Sequence, residues 1–203
     1  AHLAHHDSLT DLPNRVLFQD RVHQACQSGM RHRARFAVVF MDLDHFKHVN
    51  DSLGHAVGDE FLRAVARRLT ATLRGSDSVC RLGGDEFVML VSDVAGPDDV
   101  AEVARKILRE VAAPCSLQGT EVSVGISLGI AVFPDDGEDP ATLMKHADAA
   151  MYRSKREGRN RYQFFSRAVD LAASARLRLE ADIRRGLAEG QFVAHYQPII
   201  DAV

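Results

Sequence analysis

The part of this 203-residue chain most suited to chemistry is a glycine pair followed at once by two acids, Gly83-Gly84-Asp85-Glu86. Apolar runs flank it, from Val79 to Leu82 and from Phe87 to Val91. Because glycine adopts positive φ without steric cost, the pattern predicts a tight β-hairpin. A loop without side chains lets backbone amides approach a phosphate, and adjacent carboxylates can hold the metal ion that accompanies it. An ordinary hairpin with exposed acids is the alternative.

A second pair of acids, Asp42 and Asp44, follows a run of apolar residues from Phe36 to Met41. Such a run predicts a buried strand, and side chains at i and i+2 of a strand point to the same face. Together with Asp85 and Glu86, these acids would suit Mg²⁺, which prefers few carboxylates plus phosphates and water. An acidic turn is the alternative.

Three basic residues, Lys47, Lys155 and Arg159, are candidate phosphate ligands. Lys155 and Arg159 are spaced i,i+4, so they share a helical face if the helix continues to Arg159. Gly158 between them would instead end the helix earlier. A solvated basic face is the ordinary explanation for such residues.

Asn50 and Asp59 carry groups that suit a guanine base. A carboxylate can accept hydrogen bonds from the N1–H and the exocyclic amine of guanine, and an amide can both donate and accept. Adenine lacks that donor pair, so the two residues would favour GTP over ATP. The structural alternatives are a helix cap for Asn50 and a first-turn acid for Asp59.

The elements that position these residues alternate between helices and strands. Helical patterns follow the turn at 11–14 up to about residue 28 and recur at 45–53 (a short helix or turn), 58–73, 97–112 and 141–157. Strands are predicted at 35–42, in a hairpin over 78–92, at 122–133 and at 162–165. This order predicts an α+β fold with a sheet layered by helices.

The residues Gly83-Gly84-Asp85-Glu86-Phe87 spell the signature of the GGDEF family, and the chain resembles that family's diguanylate cyclases from about residue 4 to 165. Asp85 in place of Glu is a substitution that the family itself uses. Four further motifs carry the resemblance: Asp7-Ser8-Leu9-Thr10-Asp11-Leu12-Pro13-Asn14-Arg15, Asp42-Leu43-Asp44-His45-Phe46-Lys47-His48-Val49-Asn50-Asp51, Gly54-His55-Ala56-Val57-Gly58-Asp59 and Met151-Tyr152-Arg153-Ser154-Lys155-Arg156-Glu157-Gly158-Arg159-Asn160. The resemblance implies a ferredoxin-like, polymerase-palm-like core. It also implies condensation of two GTP into cyclic di-GMP and two pyrophosphates across a homodimer.

The resemblance further implies a role for each candidate residue. Asp42, Asp85 and the carbonyl of Leu43 would bind the metal, which is Mg²⁺ or, in its place, Mn²⁺. Asp85 and Glu86 would be catalytic, with Glu86 assisting the metal site or orienting the attacking 3′-hydroxyl. The substrate-binding residues would be Lys47, Asn50, Asp59, Gly83, Gly84, Lys155 and Arg159, with Lys155 and Arg159 on the β- and γ-phosphates.

An Arg-x-x-Asp pattern, Arg74 and Asp77, lies five residues before Gly83 and matches the family's inhibitory site for cyclic di-GMP. Arg74 would pair with a guanine face or a phosphate of the product, and Arg81 would contribute. As a bare pattern it is weak, because Arg at a helix end and Asp in the next turn are common. Two other functions stay open: a GTP-binding regulatory module for an adjoining phosphodiesterase domain, and a cyclic di-GMP receptor.

The character of the chain changes after residue 166. A charged helical pattern runs from Ala168 to Leu187, and Gly190 breaks it. The stretch from Leu179 to Asp201, with its Tyr196-Gln197-Pro198-Ile199 run, resembles the start of an EAL domain, the cyclic di-GMP phosphodiesterase family. The expected organisation is a cyclase-like domain at 1–165 and a linker helix with a truncated EAL start at 166–203.

Composition excludes several classes. The net charge of −3 gives no general affinity for polyanions, so nucleic acid is not an expected partner. Three cysteines without metal-type spacing indicate reduced thiols in a reducing compartment, here the cytoplasm. No apolar run approaches the ~20 residues that span a bilayer, so no membrane contact is expected from this stretch. Since the chain begins at Ala1 without Met, we expect a piece of a longer protein, which could be membrane-anchored elsewhere.

Overall fold

The chain divides into two units, Ala1–Phe165 and Ser166–Val203, and the computed structural model describes residues 4–193 and 195. The first unit is a mixed α+β domain. Its strands are β1 (Phe36–Leu43), β2 (Ser78–Gly83), β3 (Glu86–Val91), β4 (Cys115–Leu117), β5 (Thr120–Val122), β6 (Ile126–Phe133) and β7 (Tyr162–Phe164). Its helices are α1 (Arg15–His32), α2 (Phe46–Leu53), α3 (His55–Thr72), α4 (Pro97–Ala112) and α5 (Pro140–Arg156).

The central sheet has five strands in the order β2-β3-β1-β6-β7. Strand β1 is antiparallel to both of its neighbours, β3 and β6, and β7 joins β6 in parallel. Strands β4 and β5 form a separate two-stranded sheet. The end of β1 is therefore bordered by the start of β3 on one side and the start of β6 on the other, and this edge holds the predicted acids.

Helices cover both faces of the sheet, which explains the uninterrupted apolar run of β1. All eight residues of β1 are buried. Alternate side chains enter two different apolar clusters, because successive residues of a strand point to opposite faces. Ala37, Val39, Met41 and Leu43 pack with residues of α2, α3 and α4, whereas Phe36, Val38 and Phe40 pack with residues of α1 and α5.

Helix α5 lies unusually close to β6. A Cβ built on Gly129 of β6 would come within 2.0 Å of the carbonyl oxygen of Ala147 and the amide nitrogen of Met151. The helix begins cleanly, since the carboxylate of Asp139 caps it by accepting from the amide of Thr142 at 2.9 Å and Pro140 occupies its first turn. This close packing fixes α5 against the sheet, so that its C-terminal turn reaches the end of β1.

Most predicted elements are confirmed, with shifted ends. Helix α4 has the predicted bounds, α3 begins three residues earlier than expected, and α1 continues to His32. The single strand predicted at 122–133 is wrong, because only Ile126–Phe133 belongs to the central sheet. Gln118 and Gly119 have φ of 48° and 81°, and they fold the chain back so that Thr120–Val122 pairs with β4.

The second unit contains α6 (Arg167–Ala188), close to the helical stretch predicted there. Gly190 follows with φ of 66°, and Gln191–Val193 adopt no helix or strand. The Tyr196–Ile199 run, on which the resemblance to an EAL domain depends, lies outside the described residues. No described helix is long and apolar enough to cross a membrane.

Candidate active site

Three of the four candidate acids, Asp42, Asp85 and Glu86, lie where β1 ends beside the hairpin. Asp42 lies opposite Glu86 in the ladder between β1 and β3. One residue further on, the amide of Leu43 donates to the carbonyl oxygen of Asp85 at 3.3 Å. A hairpin was predicted from Gly83 and Gly84 and is confirmed.

The turn of the hairpin leaves its backbone open. Gly83 and Gly84 have φ of 141° and 53°, values that residues with a side chain rarely adopt. No heavy atom lies within 4 Å of a Cβ built on either glycine. Both glycines are exposed, whereas Asp85 and Glu86 are half-buried. A phosphate could therefore approach these amides without meeting a side chain.

Asp42 pairs with a lysine that comes from α5. Its carboxylate contacts the ammonium of Lys155 at 2.7 Å, and its side chain is only 10% exposed. Burial raises the pKa of Asp42, the hydrogen bond from Lys155 offsets part of that rise, and the charges of Asp85 and Glu86 add to it. The negative charges of Asp85 and Glu86 thus act on the carboxylate of Asp42 at the end of β1, and a cation there stabilises its ionised form.

The donor set fits a hard cation that keeps part of its hydration. In the described part of the chain, no three His, Cys, Asp or Glu side chains converge as a ready-made metal centre. Two carboxylates, Asp42 and Asp85, with a backbone carbonyl at Leu43 are nevertheless the type of set that Mg²⁺ uses, because phosphates and water complete its coordination. The ammonium of Lys155 supplies positive charge there in this structure.

Asn50 and Asp59 lie on the two adjacent helices α2 and α3. A Cβ on Gly58 would come within 1.9 Å of Oδ1 of Asn50, so the amide of Asn50 packs directly on the start of α3, next to Asp59. Neither structural alternative applies. The residues that precede the first turns of α2 and α3 are His45 and Gly54, and the first turn of α3 contains no acid.

The basic candidates come from different places. Lys47 is exposed on α2, and Lys155 belongs to the last turn of α5. The helix ends at Arg156, and Gly158 and Arg159 have φ of 118° and 61°. A shared helical face for Lys155 and Arg159 is therefore wrong, and the earlier end at the glycine is confirmed. Arg159 belongs to the loop before β7.

Asp44 does not join the other acids, although the i,i+2 spacing placed it beside Asp42. Its Oδ1 accepts from the hydroxyl of Ser127 at 2.7 Å, and its Oδ2 accepts from the amide of Asn160 at 2.9 Å. Asp44 lies beyond the end of β1, so strand alternation no longer applies to it. Sequence reasoning missed these partners, which are 83 and 116 residues away.

Arg81 is committed to contacts within the domain. Its guanidinium donates to the carbonyl oxygen of Gly84 from Nε at 3.0 Å and from Nη2 at 2.7 Å, and it pairs with Asp7 at 2.9 Å. The same oxygen of Asp7 accepts from the amide and the hydroxyl of Thr10. The N-terminal turn at Asp7 is therefore linked through Arg81 to the glycine hairpin, a role that sequence reasoning missed.

Arg74 and Asp77 occupy the turn between α3 and β2. The carboxylate of Asp77 accepts from the amide of Arg74 at 2.9 Å and from the amide of Ser92 at 3.1 Å, which closes the turn. Arg74 is exposed. This turn lies at the far end of β2 from the hairpin glycines, a separation of roughly 17 Å at about 3.3 Å per strand residue.

The family comparison identifies the class of protein that this fold and site define. A family model described as "Diguanylate cyclase, GGDEF domain" matches residues 4–161. Because the match covers most of the chain, the chain belongs to the GGDEF family, and the resemblance drawn from its motifs is confirmed.

Curated relatives place the family in cyclic di-GMP signalling. MucR of Pseudomonas aeruginosa, named as a bifunctional diguanylate cyclase/cyclic di-GMP phosphodiesterase, is 47% identical over 97% of this chain and 28% of its own length. The diguanylate cyclase TpbB of that species is 46% identical over 78% of this chain and 37% of its own length. NbdA, named as a cyclic di-GMP phosphodiesterase of that species, is 38% identical over 98% of this chain and 25% of its own length. This chain thus spans only part of these relatives.

Solved structures share the fold. The GGDEF domain of TpbB from Pseudomonas aeruginosa superposes with a TM-score of 0.78 at 44% identity, covering 80% of this chain and 95% of that one. The coiled coil and GGDEF domain of DgcB from Caulobacter crescentus, in complex with c-di-GMP, gives a TM-score of 0.75 at 32% identity, covering 80% and 86%. The predicted α+β fold class is confirmed by these neighbours.

Proposed function

We propose that this domain is a diguanylate cyclase, which condenses two GTP into cyclic di-GMP and releases two pyrophosphates. The observation that carries the proposal is the meeting of Asp42 with the hairpin acids Asp85 and Glu86, beside an open glycine turn and the ammonium of Lys155. Family membership and the cyclase name of TpbB support the same reaction.

Guanine recognition is assigned to Asn50 and Asp59. The two lie on adjacent helices, and the structure gives neither residue the capping or first-turn role that would otherwise account for it. The carboxylate of Asp59 would accept from guanine N1–H and its exocyclic amine, with Asn50 donating and accepting beside it. Gly58 keeps the approach of Asn50 open, since a Cβ there would collide with its amide.

The triphosphate is assigned to the hairpin amides at Gly83 and Gly84 and to Lys47, Lys155 and Arg159. Lys155 is only partly exposed and is paired with Asp42 in this structure. With nucleotide bound, its ammonium would turn to the β- and γ-phosphates and neutralise charge on the leaving pyrophosphate. Arg159 follows α5 in a loop and would reach the same phosphates from the other side of Gly158.

Metal binding is assigned to Asp42, Asp85 and the carbonyl of Leu43. Mg²⁺ is the ion that diguanylate cyclases of this family generally use, and Mn²⁺ would substitute for it. When bound, the metal would polarise the α-phosphate and lower the pKa of the attacking 3′-hydroxyl. Glu86, half-buried beside Asp85, would assist this site or orient that hydroxyl.

Each domain binds one GTP in this scheme, so the reaction requires two domains. The 3′-oxygen of one GTP would form a bond to the α-phosphorus of the other, and the bond to the bridging oxygen of pyrophosphate would break. Two such steps close the cyclic product. Catalysis then consists mainly of positioning and charge stabilisation, and a homodimer is the partner that the mechanism needs.

Product feedback is assigned to Arg74 and Asp77. The exposed guanidinium of Arg74 suits a guanine face or a phosphate of cyclic di-GMP. Asp77 orders the turn that carries Arg74. Arg81, which we also expected at this site, uses its guanidinium for Asp7 and Gly84, so the assignment rests on the other two residues.

The direct test is to incubate the domain with GTP and Mg²⁺ and to separate the nucleotides. We expect pppGpG and cyclic di-GMP, with a specific activity that rises with protein concentration as dimers form. Asp42→Ala and Asp85→Ala should remove both products while circular dichroism stays unchanged. Asp98→Ala, an exposed acid of α4, is the matched control and should retain activity. Full activity in a folded Asp42 or Asp85 variant would overturn the metal assignment.

The second candidate is a GTP-binding regulatory module for an adjoining phosphodiesterase domain. The name of NbdA favours it, because a relative 38% identical over nearly this whole chain is named for the opposite activity. Forced dimerisation through an N-terminal coiled coil separates the two functions by raising the effective concentration of the partner domain. Turnover in the forced dimer supports the cyclase. GTP binding without either product would establish the regulatory module.

A further inference from the structure

The carboxylate of Asp44 fastens the loop that follows α5, a role that the proposed reaction does not use. Asp44 is 6% exposed and Ser127 is fully buried. The hydroxyl of Ser127 donates to Oδ1 at 2.7 Å, and the amide of Asn160 donates to Oδ2 at 2.9 Å. The carboxylate therefore joins the end of β1 to β6 and to the loop at 157–161.

That loop has a backbone that needs external support. Gly158, Arg159 and Asn160 have consecutive φ of 118°, 61° and 45°. A left-handed conformation costs roughly 1–2 kcal/mol for an ordinary residue such as Arg, although Asn tolerates it better. Such conformations persist where surrounding contacts determine them. The amide of Arg159 donates to the carbonyl of Ser154 at 3.0 Å, which joins the loop to the end of α5. Two contacts tie the loop to the sheet: the amide of Leu128 donates to the carbonyl of Arg161 at 2.9 Å, and the Asp44 contact holds Asn160, next to Arg159.

Gly125 packs closely against this contact. The amide of Asp44 donates to the carbonyl oxygen of Gly125 at 2.8 Å. A Cβ on Gly125 would lie 3.0 Å from Oδ2 of Asp44 and 3.1 Å from the Cβ of Asn160. Three separate segments thus meet at the carboxylate of Asp44.

Arg159 and Asp44 also line the same cavity, of about 450 Å³, together with His48. A carboxylate beside a phosphate site would normally repel the ligand. Here both of its oxygens accept from donors of the protein, one from Ser127 and one from Asn160. The geometry suits a carboxylate that supports a neighbouring cation and makes no contact with ligand itself.

We propose that Asp44 is a positioning residue, which holds the loop so that Arg159 reaches the β- and γ-phosphates of GTP. The inference rests on the proposed function, because the phosphate role of Arg159 belongs to it. The two acids at the end of β1 then have different roles: Asp42 is assigned to the metal, and Asp44 holds the loop.

Two substitutions distinguish positioning from ligand binding. Asp44→Ala leaves the hydroxyl of Ser127 and the amide of Asn160 without their acceptor. Asp44→Asn keeps both contacts, because its amide oxygen can accept from Asn160 and its NH₂ group can donate to the hydroxyl oxygen of Ser127. Positioning therefore predicts that Asn rescues the loss, whereas metal ligation predicts that Asn and Ala both fail.

The measurement is the dissociation constant of GTP and of GMP, which lacks the β- and γ-phosphates. We expect Asp44→Ala to weaken GTP binding about tenfold, or about 1.4 kcal/mol, and GMP binding less than about twofold. Adding Asp44→Ala to Arg159→Ala should cause no further loss for GTP. The matched control is Asp136→Ala, which removes another half-buried carboxylate bonded to a backbone amide, that of Val132 at 2.7 Å, and should leave the GTP-to-GMP ratio unchanged.

A second readout follows the loop without any nucleotide. Hydrogen exchange at the amides of 158–161 should accelerate in Asp44→Ala and stay near normal in Asp44→Asn. Should Asp44→Ala fail to fold, Ser127→Ala serves instead, with a smaller effect in the same direction because one carboxylate bond remains.

Three results would overturn the inference alone: unchanged GTP affinity in Asp44→Ala, an equal loss for GMP, or an Asn variant as defective as the Ala variant. If the unaltered domain binds no GTP, the proposed function and this inference fall together.

Discussion

Replacing Arg81 by Met should destabilise the domain by about 2–3 kcal/mol. Arg81 is 9% exposed and gives two hydrogen bonds to the carbonyl of Gly84 and one to Asp7. Met fills the volume of the aliphatic stem but leaves both acceptors without that donor. Breaking a buried ion pair costs about 3–5 kcal/mol. The expected loss of about 2–3 kcal/mol lies at or just below the lower end of that range, because Asp7 is 19% exposed and keeps its bonds to Thr10.

The chain offers a matched control in Arg35, which pairs with Asp135 on the surface. Those side chains are 37% and 58% exposed, and exposed pairs contribute about 0–1 kcal/mol. Urea unfolding of the two variants at pH 7 measures the difference, provided that both unfold with the same m-value. If Arg81→Met lies within about 0.5 kcal/mol of Arg35→Met, the buried pair does not hold the hairpin as described.

The pH dependence of the free energy of unfolding tests whether the pair of Arg81 with Asp7 causes the loss of stability in Arg81→Met. Burial raises the pKa of Asp7, but hydrogen bonds from Thr10 and Arg81 outweigh it, so that the pKa lies below the ordinary 3.8. A lowered folded-state pKa stabilises the fold above 3.8, and this contribution disappears as the pH falls through the folded value. The stability gap between the unaltered domain and Arg81→Met should therefore narrow from pH 7 to about pH 3. An equal gap at both values would refute the electrostatic account.

Four further variants test other parts of the domain. Gly58→Ala places a Cβ within 1.9 Å of Oδ1 of Asn50, so GTP affinity measured by calorimetry should fall even though Ala favours a helix by about 1 kcal/mol. Asp42→Asn should remove activity. Because the pKa of Asp42 is raised in the folded domain, the unaltered domain should lose stability as the pH rises from 3.8 through that pKa. Unfolding at several pH values should show that this loss is absent in Asp42→Asn. Arg74→Ala should weaken the binding of cyclic di-GMP and leave the melting temperature unchanged. Asp77→Ala should lower both the affinity for cyclic di-GMP and the melting temperature, because the carboxylate of Asp77 closes the turn.

Local patterns predicted the scaffold well. The apolar run of β1 indicated a buried strand, and the helical pattern predicted at 97–112 has the bounds of α4. The glycine pair predicted the hairpin because the signal and the structure are both local. The β4–β5 pair was missed, since its strands have only three residues each and too short a pattern to show a period.

Contacts that order the candidate site could not be predicted from the sequence. Arg81 and Asp7 are 74 residues apart, and Asp44 and Asn160 are 116 apart. Side chains so distant in sequence meet only because the sheet order brings β1, β2 and the loop before β7 to one edge. Spacing rules suggested that Asp42 and Asp44 act together, whereas the end of β1 separates them.

The pairing of Asp42 with Lys155 explains how the domain tolerates its acidic edge without ligand. The charges of Asp85 and Glu86 act on Asp42 there, and burial already disfavours its charged form by raising its pKa. The partner of Asp42 comes from α5, whose position against the sheet depends on the missing side chain of Gly129. The same ammonium is assigned to the phosphates of GTP. Phosphate binding by Lys155 therefore requires another cation at Asp42, so GTP affinity should depend on divalent metal more strongly in the unaltered domain than in Asp42→Asn.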